Sequence, residues 1–417
     1  MMTLRRSLFT AGLCLVLLLP VVAAAQVDRP WYVVIYDRAT GRLVRVDGRS
    51  GAATDVHLNV DQPADLNGQQ IAISPDAFRA AYCIVHQTPG DPEGEATLYV
   101  HDLELDQVDL VLALGPALRC NVNRHAYNEI GSRLAVSLMR SPAVDDAPLW
   151  RILVIDPDGR TRATLTADDA AVNAAGLAPD DSLDPQVREF RMNHLTFAAV
   201  PYGVGGTPAV AAYRWILTDG SVAPVKGWGA FSFDALDATG ELLYVDHDPT
   251  RPAGDPGGAI TPFNRVMLME NAASVRMIYH CPDWTILSAQ FINNGLAMAL
   301  EFLEPARLAG ERGQRTRWIT LTRAAAAEDL GVFAAEAGAQ LAAAPPGWIM
   351  LWAEANAGDD YSRAVARIDY PAGDEVRTLW KEALPAKAEM TWDLVWVSPS
   401  IIVAGPPPFF EYTPPGD

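Results

Sequence analysis

Short apolar runs separated by Gly-, Pro- and Asp-bearing turns fill residues 31–405, and they come in two kinds that alternate. One kind pairs two β-rich runs across a polar turn. It reads "WYVVIYDRATGRLVRVDG" at 31–48 and recurs from about residues 96, 149, 213, 264, 316 and 362. The other is "IAISPDAFRAAYCIV" at 71–85, matched by "YNEIGSRLAVSLM" (127–139), "FRMNHLTFAAVPY" (190–202) and four later segments, the last being "LVWVSPSIIVAG" (394–405). Runs of four to eight residues bounded by turn formers are strands, and pairs of them are hairpins. A linear two-domain reading has no reason to start with one kind and stop with the other.

Two hairpins per unit and seven units describe a seven-bladed β-propeller with four antiparallel strands per blade. The chain starts with what reads as an outer hairpin and stops with an inner one. That phase predicts a two-plus-two closure in which 31–47 completes the C-terminal blade. The motifs resemble the TolB-like, WD40-like β-propeller family. Ser74-Pro75-Asp76 matches its Ser-Pro-Asp-Gly turn, with Ala77 in place of the glycine, and Ser398-Pro399 keeps part of it. Asp37 to Gly41 and, more loosely, Asp156 to Gly159 match its D-x-x-x-G turn. The resemblance spans residues 31–405 and implies one propeller domain over 26–405, followed by a Pro- and aromatic-rich tail at 406–417. Trp150, Trp215 and Trp318 fall at nearly equal places in their units, where they are expected to pack between sheets.

Residues 1–25 carry Arg5 and Arg6, an apolar stretch from Leu8 to Val22, and Ala23-Ala24-Ala25. This is the pattern of a secretory signal peptide, so the expected mature chain is extracytoplasmic, periplasmic or secreted. Cys14 lies inside the apolar stretch and is a poor acylation site. The full chain has net charge −19, and losing Arg5 and Arg6 makes it −21. Such a charge repels nucleic acid and anionic lipid, and leaves cations or basic protein surfaces as partners. Three cysteines persist, Cys83, Cys120 and Cys281. One bridge is expected in an oxidising compartment, with its pairing open.

Catalytic signatures are missing from the sequence: no G-x-S-x-G, H-E-x-x-H, P-loop, G-x-G-x-x-G, sialidase box or C-x-x-C occurs. The seven histidines are scattered. The one suggestive metal set is Asp246, His247, Asp248 and Asp255 in a Gly- and Pro-rich stretch, offering ligands suited to Ca2+ or another divalent cation; a solvated acidic loop is the plainer reading. Sorting connections by side puts short turns (74–77, 157–159, 219–220, 237–240) on one face. Long ones (49–70, 87–95, 116–126, 167–189, 203–212, 246–263, 303–315, 355–361) fall on the other. Asp180, Asp181, Asp184, Asp246, Asp248, Asp255, Asp359 and Asp360 make that long-loop face acidic, and it is the expected partner-binding face. The tail, with Phe409, Phe410 and Tyr412, reads equally as a cover for the propeller or a docking element. The expected function is therefore an exported, non-catalytic binding or scaffold propeller without a cofactor. The alternative is a lyase- or lactonase-like propeller enzyme using a divalent cation on the long-loop face.

Overall fold

The structure, a computed structural model, describes residues 31–60, 66–87, 89–91, 93–141, 148–178, 183–202, 210–230, 232–236, 241–247, 263–271, 274–280, 285–292, 297–304, 315–322, 327–329, 340–344, 347–355, 361–369, 376–384 and 392–398. They form an all-β fold of antiparallel four-stranded sheets, seven among the described residues. The second sheet runs Ile71–Ile73, Arg79–Gln87, Gly94–Asp102 and Gln107–Ala117. The third runs Arg119–Asn121, Leu134–Met139, Trp150–Ile155 and Thr161–Thr166, and the fourth Leu183–Phe190, His194–Pro201, Val210–Ile216 and Val222–Ala230. Three further sheets repeat the order between Ser232 and Leu384.

Burial follows place in the sheet. The second strand of the third sheet, LAVSLM, is buried at all six positions because both of its faces meet neighbouring sheets. The outermost strand of the second sheet, QVDLVLALGPA, alternates between exposed and partly buried along most of its length. This is the period-2 signature of a strand with one wet face. Between the third and fourth sheets, Trp150 lies 6.1 Å from Phe197, which stacks on Tyr213 at 5.7 Å. Trp150 and Trp215 are both buried in this cluster, which accords with their expected packing role. The side chain of Trp318 lies outside the described residues. Burying one such aromatic contributes about 1.5–3 kcal/mol.

The first sheet departs from expectation. Its order is Trp392–Ser398, Tyr32–Asp37, Arg42–Asp47, Ala53–His57, so three strands near the N-terminus join one from the C-terminal region. The two-plus-two strand make-up read from the sequence is thus replaced, in this sheet, by one-plus-three. The reason is local. Asp47 to Gly51 is a second D-x-x-x-G turn, ten residues after the first. In it Asp47 Oδ1 accepts from the Arg49 and Ser50 amides at 2.9 and 2.7 Å. Gly51, at φ 72°, closes the turn by donating its amide to the Asp47 carbonyl at 2.8 Å. The strand after it, ATDVH, buries only Val56 and therefore reads as a polar loop. Asp37 to Gly41 accordingly joins the second and third strands of its sheet rather than the outer two. Arg42 reaches Glu382 at 2.6 Å, placing the seventh sheet beside the first.

Cys83 and Cys120 form a disulfide, Cα–Cα 5.9 Å, linking the second strand of the second sheet to the first strand of the third. Cys281 lies outside the described residues. Two stretches assigned to long loops are largely structured. Residues 116–126 contain the strand Arg119–Asn121. Residues 167–189 contain a one-turn helix, Ala170–Ala174, and most of the strand Leu183–Phe190. The connector 122–133 therefore joins the first and second strands of its sheet, which moves Arg124 and His125 to the end that carries the short turns.

Candidate functional site: a cleft at the turn end of the second and third sheets

Two repeated turns build the site. In the second sheet Ser74 Oγ donates to Asp76 Oδ1 at 2.5 Å and accepts from the Arg79 amide at 2.9 Å. In the third, Asn128 Oδ1 accepts from the Arg133 amide at 3.0 Å. The same five-residue spacing thus sets an arginine at the start of each second strand. Ala77 (φ 63°) and Gly131 (φ 69°) occupy the same left-handed position in the two turns. Gly131 also lies against its neighbour: a Cβ there would sit 3.2 Å from Cδ of Pro75. The two turns are packed on each other.

Between them opens a cleft of about 70 Å³, lined by Arg79, Asp109, Tyr127, Arg133 and Asp156 with apolar walls including Val100, Leu110 and Ile155. Arg79 Nε pairs with Asp109 at 3.8 Å, and Arg133 Nε pairs with Asp156 at 3.4 Å. The Tyr127 ring is partly exposed, but its hydroxyl oxygen is buried and has no hydrogen-bond partner among the described residues. Burial, with Asp76 and Asp109 nearby and against the pull of Arg79, pushes the phenol pKa up. The group is therefore a protonated donor without an acceptor. Leaving such a group dry and unpaired costs about 1–3 kcal/mol.

Around the cleft the turn tips expose large apolar side chains: Leu105 and Ile130 at 66% each, and Met192 at 37%. The third and fourth sheets are stitched together here, since Asn123 Nδ2 donates to the Val187 carbonyl at 2.9 Å and Arg133 Nη1 to the Met192 carbonyl at 3.4 Å. Beside them His125 Nε2 accepts from Arg124 Nε at 3.0 Å. Burial first, then Arg124, Arg188 and Arg191, hold the His125 pKa well below the ordinary imidazole value.

The opposite end is built differently. Glu93 is buried, accepts from Arg140 Nε and Nη2 (2.8–3.1 Å), and takes the Ser141 amide at 2.6 Å. Arg38 pairs with Asp393 at 3.4 Å, and Asp393 also accepts the Gly68 amide at 2.8 Å. Asp184, read from the sequence as a loop carboxylate, is 4% exposed. It accepts from Asn121 at 2.5 Å and pairs with Arg119 at 3.6 Å. Burial raises its pKa despite Arg119. Asp184 is thus corrected from an exposed binding residue to an internal one, because the strand Leu183–Phe190 begins one residue before it. Asp246 is the penultimate residue of the strand Glu241–His247 and pairs with Arg265 at 3.5 Å. Of His247 only the backbone is described, opposite Phe263. Asp180, Asp181, Asp248, Asp255, Asp359, Asp360 and the tail lie outside the described residues. Among the described residues no group of three His, Cys, Asp or Glu is placed to hold a metal.

Sequence reasoning missed Tyr127, Arg79, Arg133, Asp109 and Asp156. A signal was available. Aligning "SPDAFR" with "NEIGSR" puts Arg79 on Arg133 and Ala77 on Gly131, which marks both arginines as repeat-equivalent turn residues.

No protein-family profile matches the chain, and no curated protein matches it. Among solved structures it is similar to the β-propeller domain of the Trilobed protease from Pyrococcus furiosus, at 11% identity and TM-score 0.45 over 81% of this chain and 86% of that one. TolB from Acinetobacter baumannii is similar at 18% identity and TM-score 0.36, over 70% of this chain and 61% of that one. A putative 6-phosphogluconolactonase from Bacteroides uniformis is similar at 8% and 0.45, over 85% and 99%. At these identities the likeness is one of fold.

Proposed function

We propose that the chain is an exported, non-catalytic binding propeller of seven blades, ringed shut by the sheet that joins 392–398 to 32–57, and that it engages its partner with the turn end of the first four sheets. The seven four-stranded sheets and the Arg42–Glu382 contact support the ring. The observation that carries the choice of surface is the exposure of Leu105 and Ile130 at its turn tips, 66% each, on the same end as a cleft lined by Tyr127 and two Arg–Asp pairs. Glu93, Asp184 and Asp393 of the other end already hold arginines, so these three offer less to a newcomer than a carboxylate count suggests.

Export rests on the signal-peptide pattern of residues 1–25. Fractionation of the native host, with N-terminal sequencing of the mature protein, should find an extracytoplasmic chain starting at Gln26. A cytoplasmic, unprocessed chain would reject that part. For the binding surface, the Leu105→Asp, Ile130→Asp double variant should keep its melting temperature and lose co-purifying partner. Retained partner at unchanged stability would reject it.

A further inference from the structure

We propose that the chain forms a two-fold dimer in which the strand Gln107–Ala117 pairs antiparallel with the same strand of a second copy, joining two four-stranded sheets edge to edge. This goes beyond the turn-end reading and does not depend on it. The outermost strand of a sheet leaves one edge unpaired, and proteins protect such edges by shortness, charge or proline. Six of the seven described sheets do so. Ala53–His57 and Ala327–Asp329 are short. Arg162 lies in the outermost strand of the third sheet, and Pro224 and Lys226 in that of the fourth. Arg276 serves the fifth sheet and Lys381 the seventh. Gln107–Ala117 is the exception. It is the longest of the seven, at 11 residues, and from Gln107 to Gly115 it carries no lysine, arginine or proline.

The edge is open as well as apolar. Val111 is 59% exposed, and exposed and partly buried residues alternate from Gln107 to Ala113. The Leu110 face is covered by the turn of the third sheet, where a Cβ on Gly159 would sit 3.0 Å from Cδ1 of Leu110. Among the described residues no hydrogen bond from outside the sheet reaches the backbone of 107–113. The nearest is Arg151 Nη2 donating to the Leu114 carbonyl.

Charge decides the occupant. The single charge of the stretch, Asp109, is already paired with Arg79 at 3.8 Å, so the edge selects neither a basic nor an acidic partner. A second copy matches it. Val111 is the midpoint of 107–115. With the two-fold axis there, Asp109 stands opposite Ala113 rather than opposite its own copy, Leu110 faces Leu112, and Val111 faces Val111. From 109 to 113 exposed residues then meet exposed ones and partly buried residues meet partly buried ones. Such cross-strand apolar pairs stabilise a sheet, and like charges directly opposite, which would weaken it, are avoided. Pro116, which has no amide hydrogen to give, stands opposite Asp106 and ends the pairing.

The test is analytical ultracentrifugation of the purified protein over a wide range of concentration, joined to site-directed cross-linking. A reversible monomer–dimer equilibrium is expected. It should tighten as salt rises, because two acidic chains repel until their charge is screened. Val111→Lys should abolish the dimer at concentrations where the parent forms it, with the melting temperature unchanged, since the side chain is mostly exposed. In a Cys281→Ser background, Val111→Cys should give a covalent dimer on mild oxidation. Residues directly opposite in an antiparallel pair have Cα atoms about 4.5–5.5 Å apart, within disulfide reach. Asp109→Cys should give none, because its two copies stand about 14 Å apart along the strands. A monomer at every concentration, a dimer that survives Val111→Lys, a dimer that weakens with salt, or equal cross-linking at 109 and 111 would each overturn the inference. A monomer whose Val111→Lys variant loses a co-purifying host protein would also overturn it and give the edge to a partner's strand. Partner retention through Leu105 and Ile130 is read from their own double variant, so absence of the dimer leaves the turn-end reading standing.

Discussion

The two ends of the first four sheets carry the same kinds of charged residue and use them in opposite ways. At the end with the longer connections, Glu93, Asp184 and Asp393 are drawn into the protein and matched by Arg140, Arg119 and Arg38. At the turn end the pairs Arg79–Asp109 and Arg133–Asp156 stay partly exposed along the lining of a cleft. A carboxylate count alone favours the first end as a binding surface. At these three carboxylates burial works against that, because a carboxylate already holding an arginine has little left to offer. Charge states what a surface contains, and solvation states what it can still give.

Stability measurements can break this contrast. The largest effect belongs to the staple between the two sheets that form the cleft. Changing Cys83 and Cys120 together to Ser opens a 37-residue loop and should lower unfolding free energy by about 3–4 kcal/mol in chemical denaturation. A loss under about 1 kcal/mol would mean that sheet packing alone fixes the cleft.

Next comes the direct comparison of the ends. Glu93→Ala strands Arg140 and should cost about 3 kcal/mol, as removal of one member of a buried pair does. Asp156→Ala at the cleft rim should cost no more than about 1 kcal/mol. Equal losses would erase the structural difference between the two ends.

A smaller effect separates the ends by pH. His125 is held neutral in the folded protein, so as pH falls the unfolded chain, whose imidazole titrates near 6.5, takes up a proton first. Its contribution is complete above that value. It declines below it by up to about 1.4 kcal/mol per pH unit until the folded pKa is reached. The His125→Gln variant should lose less stability than the parent between pH 7.5 and 5.5. Parallel curves would show that His125 is not held neutral.

Smallest is Ala77→Gly. Glycine relieves the left-handed strain at φ 63°, about 1–2 kcal/mol. Against that it loses a fully buried methyl, about 0.8 kcal/mol, and gains unfolded-chain entropy of similar size. The melting temperature should scarcely move. A large rise would mean that the turn is strained beyond what its packing returns.

Much of the architecture was legible because apolar period and turn chemistry agree from unit to unit. "IAISPDAFRAAYCIV" is a strand, turn and strand in the structure as in the sequence. The phase of the first sheet was not legible. Two D-x-x-x-G turns stand ten residues apart, and the edge strand ATDVH has one buried residue to announce it. Leu183–Phe190 hid for a related reason: Pro185 and charged positions 184, 188 and 189 resemble a loop, although Asp184 and Glu189 are buried beside arginines. The site was the least legible part. Tyr127 reads in the sequence as the first residue of the hairpin 127–139, and no residue-type count shows that its hydroxyl lacks a partner.

The central claim is that the turn end meets the partner. A photo-reactive amino acid placed at Ile130, and in a parallel strain at Gln87 near the opposite end, tests it in the living native host. Irradiation should give a discrete covalent adduct from position 130 and none from position 87, both proteins retaining parental melting temperatures. An adduct from position 87 with none from position 130 would contradict the account.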